Sequence, residues 1–318
     1  MEIVPKNLNK DNKSDFRDFA FKPIMEIMKI NKRVFILTND MGAKGLDDIK
    51  KKFPTRVINA GICEQNIASV AGGLAKTGNY VFIYGIISHI IFRSLEQIKI
   101  DICVPNLPVT IIGVGAGLSY GQDGPTHHGV EDIGISRVLP NLNLYNPSDF
   151  VSTYQSVYSS FLSKKPSYIR LDKEKLPSIY KLNNKFNEFS YFGKNKKLLL
   201  VGSGISTWIC LKVQELLKKK KIYCSILDLK KLSYFDEKKL SKSLLNVKKL
   251  IIIEENLDSS SIKNIFFDIK NKFNHSFKID LFNIDKNYMF GSSSRKYIWK
   301  TKGLSPDYIS RKLLKKIK

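Results

Sequence analysis

The feature that most constrains this chain is a series of short aliphatic runs set between stretches long enough for a helix. Val34–Leu37, Val81–Tyr84, Val109–Val114, Leu198–Val201 and Leu250–Ile253 are each four to six residues long. A strand buried on both faces reads as such a run, and alternation with helices implies a parallel sheet covered on both sides. The expected fold class is therefore α/β, with two domains, each a mostly parallel sheet flanked by helices. A chain of 318 residues is long enough for both.

The pattern places a helix over Asp15–Lys29, a strand from Arg33, and a loop from Asp40 to Gly45. A second short strand follows at Arg56–Ala60. Cys63–Thr77, with Gly72-Gly73 inside it, suits a tightly packed helix. Tyr80–Tyr84 reads as a strand, His89–Ile102 as a helix, and Val109–Val114 as a strand. Gly113–Gly129 is a loop holding six glycines. The polar stretch from Asp172 onward ends in an expected linker at 181–197, which separates domains at 1–180 and 198–318. In the second domain, strands are expected at Leu198–Val201, Tyr223–Leu227 and Leu250–Glu254, with helices at Trp208–Lys219 and Glu237–Leu245.

Composition removes several function classes. A membrane-spanning helix needs about 20 apolar residues, and no run approaches that. The opening MEIVPKNLNKDNKSD is polar and has no apolar core of the secretory kind. Cys63, Cys103, Cys210 and Cys224 show neither a CxxC pair nor metal-ligand spacing, so reduced thiols are expected. These points lead us to expect a cytoplasmic protein.

The net charge of +24 is uneven, with 17 basic and 15 acidic side chains in residues 1–150, and 36 and 14 in 151–318. The cations are 45 Lys and only 8 Arg. Base and phosphate recognition leans on Arg, so solvated lysine-rich faces are expected, with no nucleic-acid partner.

Two motifs carry chemistry. Asn59-Ala-Gly-Ile-Cys-Glu-Gln-Asn puts Glu64 at a strand-to-helix junction, where the helix macrodipole favours a carboxylate. Gly121-Gln-Asp-Gly-Pro-Thr-His-His-Gly puts His127 and His128 in a loop after a buried strand. Ligands of open α/β sheets bind at the carboxyl ends of strands, and histidine is suited to proton transfer near neutral pH. Asp40 and Glu131 are expected to shape loops.

Together with Arg93-x-x-Glu-Gln-Ile, Glu131-Asp132 and Asn146-Pro-Ser-Asp, these motifs resemble the C-terminal portion of transketolases. More narrowly, the chain resembles the separate C-terminal subunit of split transketolases. Leu250-Ile-Ile-Ile-Glu-Glu-Asn and Gly303-Leu-Ser-Pro-Asp-Tyr-Ile match weaker patterns of that family's C-terminal domain.

The resemblance implies a thiamine diphosphate enzyme that transfers a two-carbon ketol unit between sugars or sugar phosphates. It assigns Glu64 to the pyrimidine ring nitrogen, where a pocket that raises its pKa would help it share a proton. It places Tyr84, Ile86, His89 and Phe92 around the aminopyrimidine. It assigns His127 to donor and intermediate oxygens, Asp123 and His128 to sugar hydroxyls, and Arg170 and Lys173 to a substrate phosphate. In full-length relatives Mg²⁺ and a Gly-Asp-Gly motif hold the diphosphate. Here only Gln122-Asp-Gly comes near, with Asn146 downstream, and it is read as a decoy. The resemblance thus implies that the Mg²⁺ ligands lie on an N-terminal partner subunit, in a heterotetramer.

Three departures stand out: His89 where relatives carry a stacking Phe, Gly115-Ala-Gly where they carry a phosphate-binding His, and Asp258-Ser-Ser-Ser where many carry glycines. The alternatives are the beta subunit of a 2-oxo acid dehydrogenase decarboxylase, a 1-deoxyxylulose-phosphate synthase, and a non-catalytic partner subunit.

Overall fold

The computed structural model describes residues 14–181, 186–193, 195, 197–290 and 293–317. The polar stretch 1–13 and part of the expected linker, 182–185 with 194 and 196, lie outside the described residues. We number the strands of the two main sheets in chain order. In the first sheet these are β1 (Val34–Thr38), β2 (Val57–Asn59), β3 (Tyr80–Ile86), β4 (Val109–Val114), β5 (Asn143–Tyr145) and β6 (Ser167–Leu171). Their order is β2-β1-β3-β4-β6-β5 and every pairing is parallel. All residues of β4 and β6 are buried, as expected for central strands covered by helices.

The second sheet holds β7 (Phe189–Phe192), β8 (Leu198–Gly202), β9 (Ser225–Leu229), β10 (Lys249–Leu257) and β11 (Lys278–Ile284). The order is β11-β10-β8-β9-β7, parallel except at β7, which pairs antiparallel with β9. Phe189–Phe192 falls inside the stretch read as linker. It forms an edge strand there because Phe189 and Tyr191 pack against the apolar core.

The two sheets share that core. Ile133, Leu142 and Leu144 from the first domain cluster with Leu229, Leu232 and Leu240 from the second. The Asn-Pro-Ser-Asp motif lies on this seam. Asn146 Nδ2 donates to Ser203 Oγ at 2.8 Å, and Ser148 Oγ donates to the buried Asp228 carboxylate. Asp149 caps the Phe150–Ser163 helix through Ser152 N at 2.7 Å, and its other oxygen accepts from Ile179 N and Tyr180 N at 2.8 and 2.9 Å. The motif fastens domain to domain.

The segment read as one helix over His89–Ile102 is broken. Ile87–Ile90 and Leu95–Gln97 are helical turns, and Ile98–Cys103 is a π-helix. The π-helix packs closely on the Glu64–Lys76 helix, where a β-carbon on Gly72 would lie 2.5 Å from Asp101 O. All four cysteines are free thiols. No helix among the described residues is long and apolar enough to cross a membrane.

Candidate active site

The carboxyl ends of β1, β2, β3 and β4 lie side by side, and each delivers one part of the site. Asn39 follows β1, the turn after β2 leads to Glu64, Ile86 ends β3 before the turn bearing His89, and the glycine-rich loop follows β4. This is where open parallel sheets bind ligands.

Glu64 is the first residue of its helix and is 1% exposed. Arg93 Nη1 donates to Glu64 Oε2 at 2.5 Å, reaching it from a half-exposed position. Burial pushes the Glu64 pKa up, but its own backbone amide at the helix N-terminus, the Arg93 bond and charge, and a bond from Asn39 outweigh this. The net effect is a carboxyl below its ordinary value. The expectation of a pocket that raises this pKa is corrected: the cation and the helix end win over desolvation.

The His89 ring stands edge-on to His127, with centroids 5.1 Å apart, and Tyr120 stands edge-on to His127 at 5.8 Å. Burial, then the charges of His127 and Arg93, lower the His89 pKa against the pull of Glu64, so its ring is neutral at neutral pH. Thr126 Oγ1 lies 2.9 Å from His127 Nδ1. Lys173 Nζ sits 4.1 Å from the Tyr120 ring centroid. The structure thus strings Glu64, Arg93, His89, His127, Tyr120 and Lys173 into one continuous row. Asp123 is exposed on the same loop.

Three expected residues lie elsewhere. Tyr84 is fully buried and packs its ring against Phe21, centroids 5.0 Å apart, because its position on β3 turns it into the core on the opposite side. Arg170 is buried in an ion pair with Asp132, Nε to Oδ2 at 2.8 Å, and donates to Gly129 O and to Asn256 Oδ1. Its guanidinium is committed to these buried partners. His128 is 3% exposed and lines a separate cavity of about 360 Å³, with Pro125, Glu131 and Lys286, between the loop and the second domain. Phe92 is partly buried against the apolar core, and Ile86 is half-buried at the end of β3.

Asp40 shapes its loop as expected. It holds φ 58°, its amide donates to Asn59 Oδ1 at 2.9 Å, and its carboxylate accepts from Asn59 Nδ2 at 3.2 Å. The Gly115-Ala-Gly departure also has a cause. Gly117 holds φ 57°, and a β-carbon there would fall 2.1 Å from Glu255 Oε2, so no side chain fits.

Sequence reasoning missed Asn39 and Tyr120. Asn39 is 5% exposed, bonds Glu64, and its Oδ1 is buried without a hydrogen-bond partner. A carboxylate beside an orphaned amide oxygen matches an aminopyrimidine edge, which offers a ring nitrogen and an amino donor. The described residues therefore fit the pyrimidine half of thiamine diphosphate. For a cation, no group of three or more His, Cys, Asp or Glu is assembled among the described residues. Asn146 is engaged at the domain seam, which leaves the Gln122-Asp-Gly stretch without its downstream asparagine.

The family pattern described as the transketolase pyrimidine-binding domain matches residues 13–178, and that of the transketolase C-terminal domain matches 191–281. A curated relative from Phocaeicola vulgatus, named as one subunit of an apulose-4-phosphate transketolase, is 30% identical over 220 residues, covering 67% of this chain and 70% of the relative. A 1-deoxy-D-xylulose-5-phosphate synthase of Lawsonia intracellularis is 33% identical over 171 residues, 54% of this chain and 26% of that protein. Among solved structures, one described as a split gene transketolase, inactive beta4 tetramer, superposes with a TM-score of 0.82. It covers 95% of this chain and 97% of its own at 23% identity, a likeness of fold.

Proposed function

This chain belongs to the transketolase family, and from that membership we propose that it supplies the pyrimidine half of a thiamine diphosphate site completed by another polypeptide, the pair transferring a two-carbon ketol unit between sugars or sugar phosphates. The single observation that carries this reading is the row from Glu64 through His89 to His127 at the carboxyl edge of the first sheet.

Bound thiamine diphosphate supplies the carbon chemistry; the protein positions and polarises. Glu64 holds the pyrimidine ring nitrogen and Asn39 Oδ1 takes the amino group. Ile86 and His89 offer a flat, half-buried surface to the ring. Arg93 lies over the Glu64 carboxylate and keeps it ionised in the chain alone. It must release that oxygen for Glu64 to share a proton with a ring nitrogen, and its half-exposed position permits the swing.

His127, held by Thr126, faces the donor oxygen, and Asp123 reads a substrate hydroxyl. Lys173 replaces Arg170 as the cation for a substrate phosphate, since it reaches the row through Tyr120. Mg²⁺ and the diphosphate belong to a partner carrying the Gly-Asp-Gly motif, in a heterotetramer in the cytoplasm. Support comes from the Phocaeicola relative, whose name makes it one part of a divided enzyme, and from the split-gene neighbour in fold.

The test is co-expression with a protein bearing the diphosphate-binding half of a transketolase. Thiamine diphosphate, Mg²⁺ and a panel of ketose donors are then supplied. Ketol transfer by the pair and none by either protein alone is the expected result. Tight thiamine diphosphate binding and turnover by this chain alone sink the reading.

A further inference from the structure

The loop that bears Asp123 and His127 is closed at its neck by two glycines. Gly117 N donates to Gly129 O at 2.8 Å, and Gly129 N donates back to Gly117 O at 2.9 Å. Two buried charged side chains grip that neck. Glu255 accepts from Leu118 N at 3.0 Å, and Arg170 donates to Gly129 O. Neither is a local contact. Glu255 lies on β10 of the second domain, and Arg170 is bound to Asn256 on the same strand at 3.1 Å.

Each gripping group is itself fixed. Glu255 accepts from Arg295 Nε at 2.8 Å, from Arg295 Nη2 at 2.5 Å, and from Trp299 Nε1. Arg295 in turn forms a two-bond fork with Asp172, at 2.9 and 2.7 Å, just beyond β6. Paired buried charges of this geometry hold position tightly because leaving either partner alone is expensive.

The apolar flanks agree. Leu118 and Val130, at the two ends of the loop, are buried in a cluster whose other buried members, Ile284, Met289, Ile298 and Leu304, all come from the second domain. Leu257 N donates to Val130 O at 3.0 Å. Gly121, further along the loop, lies so close to Ser293 O that a β-carbon would stand 2.8 Å from it.

We propose that Glu255 and Arg170 are positioning residues that lock the neck of the 117–129 loop to the C-terminal domain and so set where His127 stands against His89 and Glu64. On this view the C-terminal domain touches no reacting atom, yet it holds the substrate loop in register. The kinetic side of the proposal rests on the function proposed above; the structural side does not.

The test uses the full chain with Glu255→Gln and, separately, Arg170→Lys, which keeps a charge near Asp132 but loses the reach to Gly129 and Asn256. Amide hydrogen exchange is followed by mass spectrometry. Peptides spanning 117–129 are expected to exchange at least tenfold faster in either folded variant, with β3 and β4 unchanged. Unchanged loop protection, or a uniform rise across loop and strands, overturns the clamp. If Glu255→Gln does not fold, Arg170→Lys decides alone.

With the partner subunit added, KM for the ketose donor is expected to rise at least tenfold and kcat to fall less than threefold. Deuterium exchange at the reactive thiazolium carbon of thiamine diphosphate, which reports on Glu64, is expected to stay within twofold of wild type. Equal losses in all three overturn the positioning role. A wild-type pair with no turnover defeats the proposed function instead, and amide exchange still decides the clamp.

Discussion

The Arg93 guanidinium lies 2.5 Å from the Glu64 carboxylate, with the arginine side chain 47% exposed and the glutamate 2%. A buried acid is thus tethered to a cation that solvent can reach. Since the folded pKa of Glu64 lies below its ordinary 4.5, the pair stabilises the fold above that pH. The contribution is lost as pH falls through the lower, folded value.

Arg93→Gln is therefore expected to lose about 1 kcal/mol at pH 7, a figure scaled for the exposure of the arginine. The difference from wild type should shrink as pH falls below 4.5. Urea unfolding at a series of pH values measures it. A gap that persists unchanged in acid contradicts the ion-pair account.

Glu254 gives the opposite sign. It is buried on β10, and burial lifts its pKa to about 7 despite bonds from Ser261, Asn256 and Ile262 N. A raised acid pKa means that stability is fully present below 4.5 and is lost as pH rises toward 7. Glu254→Gln keeps the shape and removes the titration. Relative to wild type, its thermal midpoint should climb between those two pH values and level off above them. Parallel curves for the two proteins would show that Glu254 does not titrate in this window.

His89→Phe supplies the flat hydrocarbon face that relatives carry. Aromatic contacts contribute about 0.5–1.5 kcal/mol beyond area, so thiamine diphosphate should bind the reconstituted pair several-fold more tightly. Quenching of intrinsic fluorescence on cofactor addition reads the Kd. No change, or weaker binding, would mean that position 89 does not face the ring.

Much of the architecture was legible because buried parallel strands advertise themselves. β4 falls where the run Val109–Val114 predicted it, and β1, β3 and β8 lie within a residue or two of their runs. β6 went unread because Ser167–Leu171 carries Tyr168 and Arg170, polar heads satisfied by partners distant in sequence: Asp132 for both, with Gly129 O and Asn256 for Arg170. The edge strand at Phe189–Phe192 went unread for a similar reason: its partner, β9, is far along the chain.

The site divides the same way. Glu64 and His127 were carried by motifs and do come together in one row. The structure puts Tyr84, His128 and Arg170 off that row, because the face a side chain takes and the reach of the second domain are not local properties of the sequence. The Gly117 neck and its Glu255 grip join residues 138 positions apart, a relation no local pattern encodes.

On the proposed function, Glu64 activates the cofactor and does not merely bind it. The most direct measurement is deuterium exchange at the reactive carbon of thiamine diphosphate in the reconstituted pair carrying Glu64→Gln. A folded protein that binds cofactor within about tenfold of wild type is expected, while exchange slows at least a hundredfold, about 2.7 kcal/mol of barrier. Exchange near the wild-type rate would contradict it.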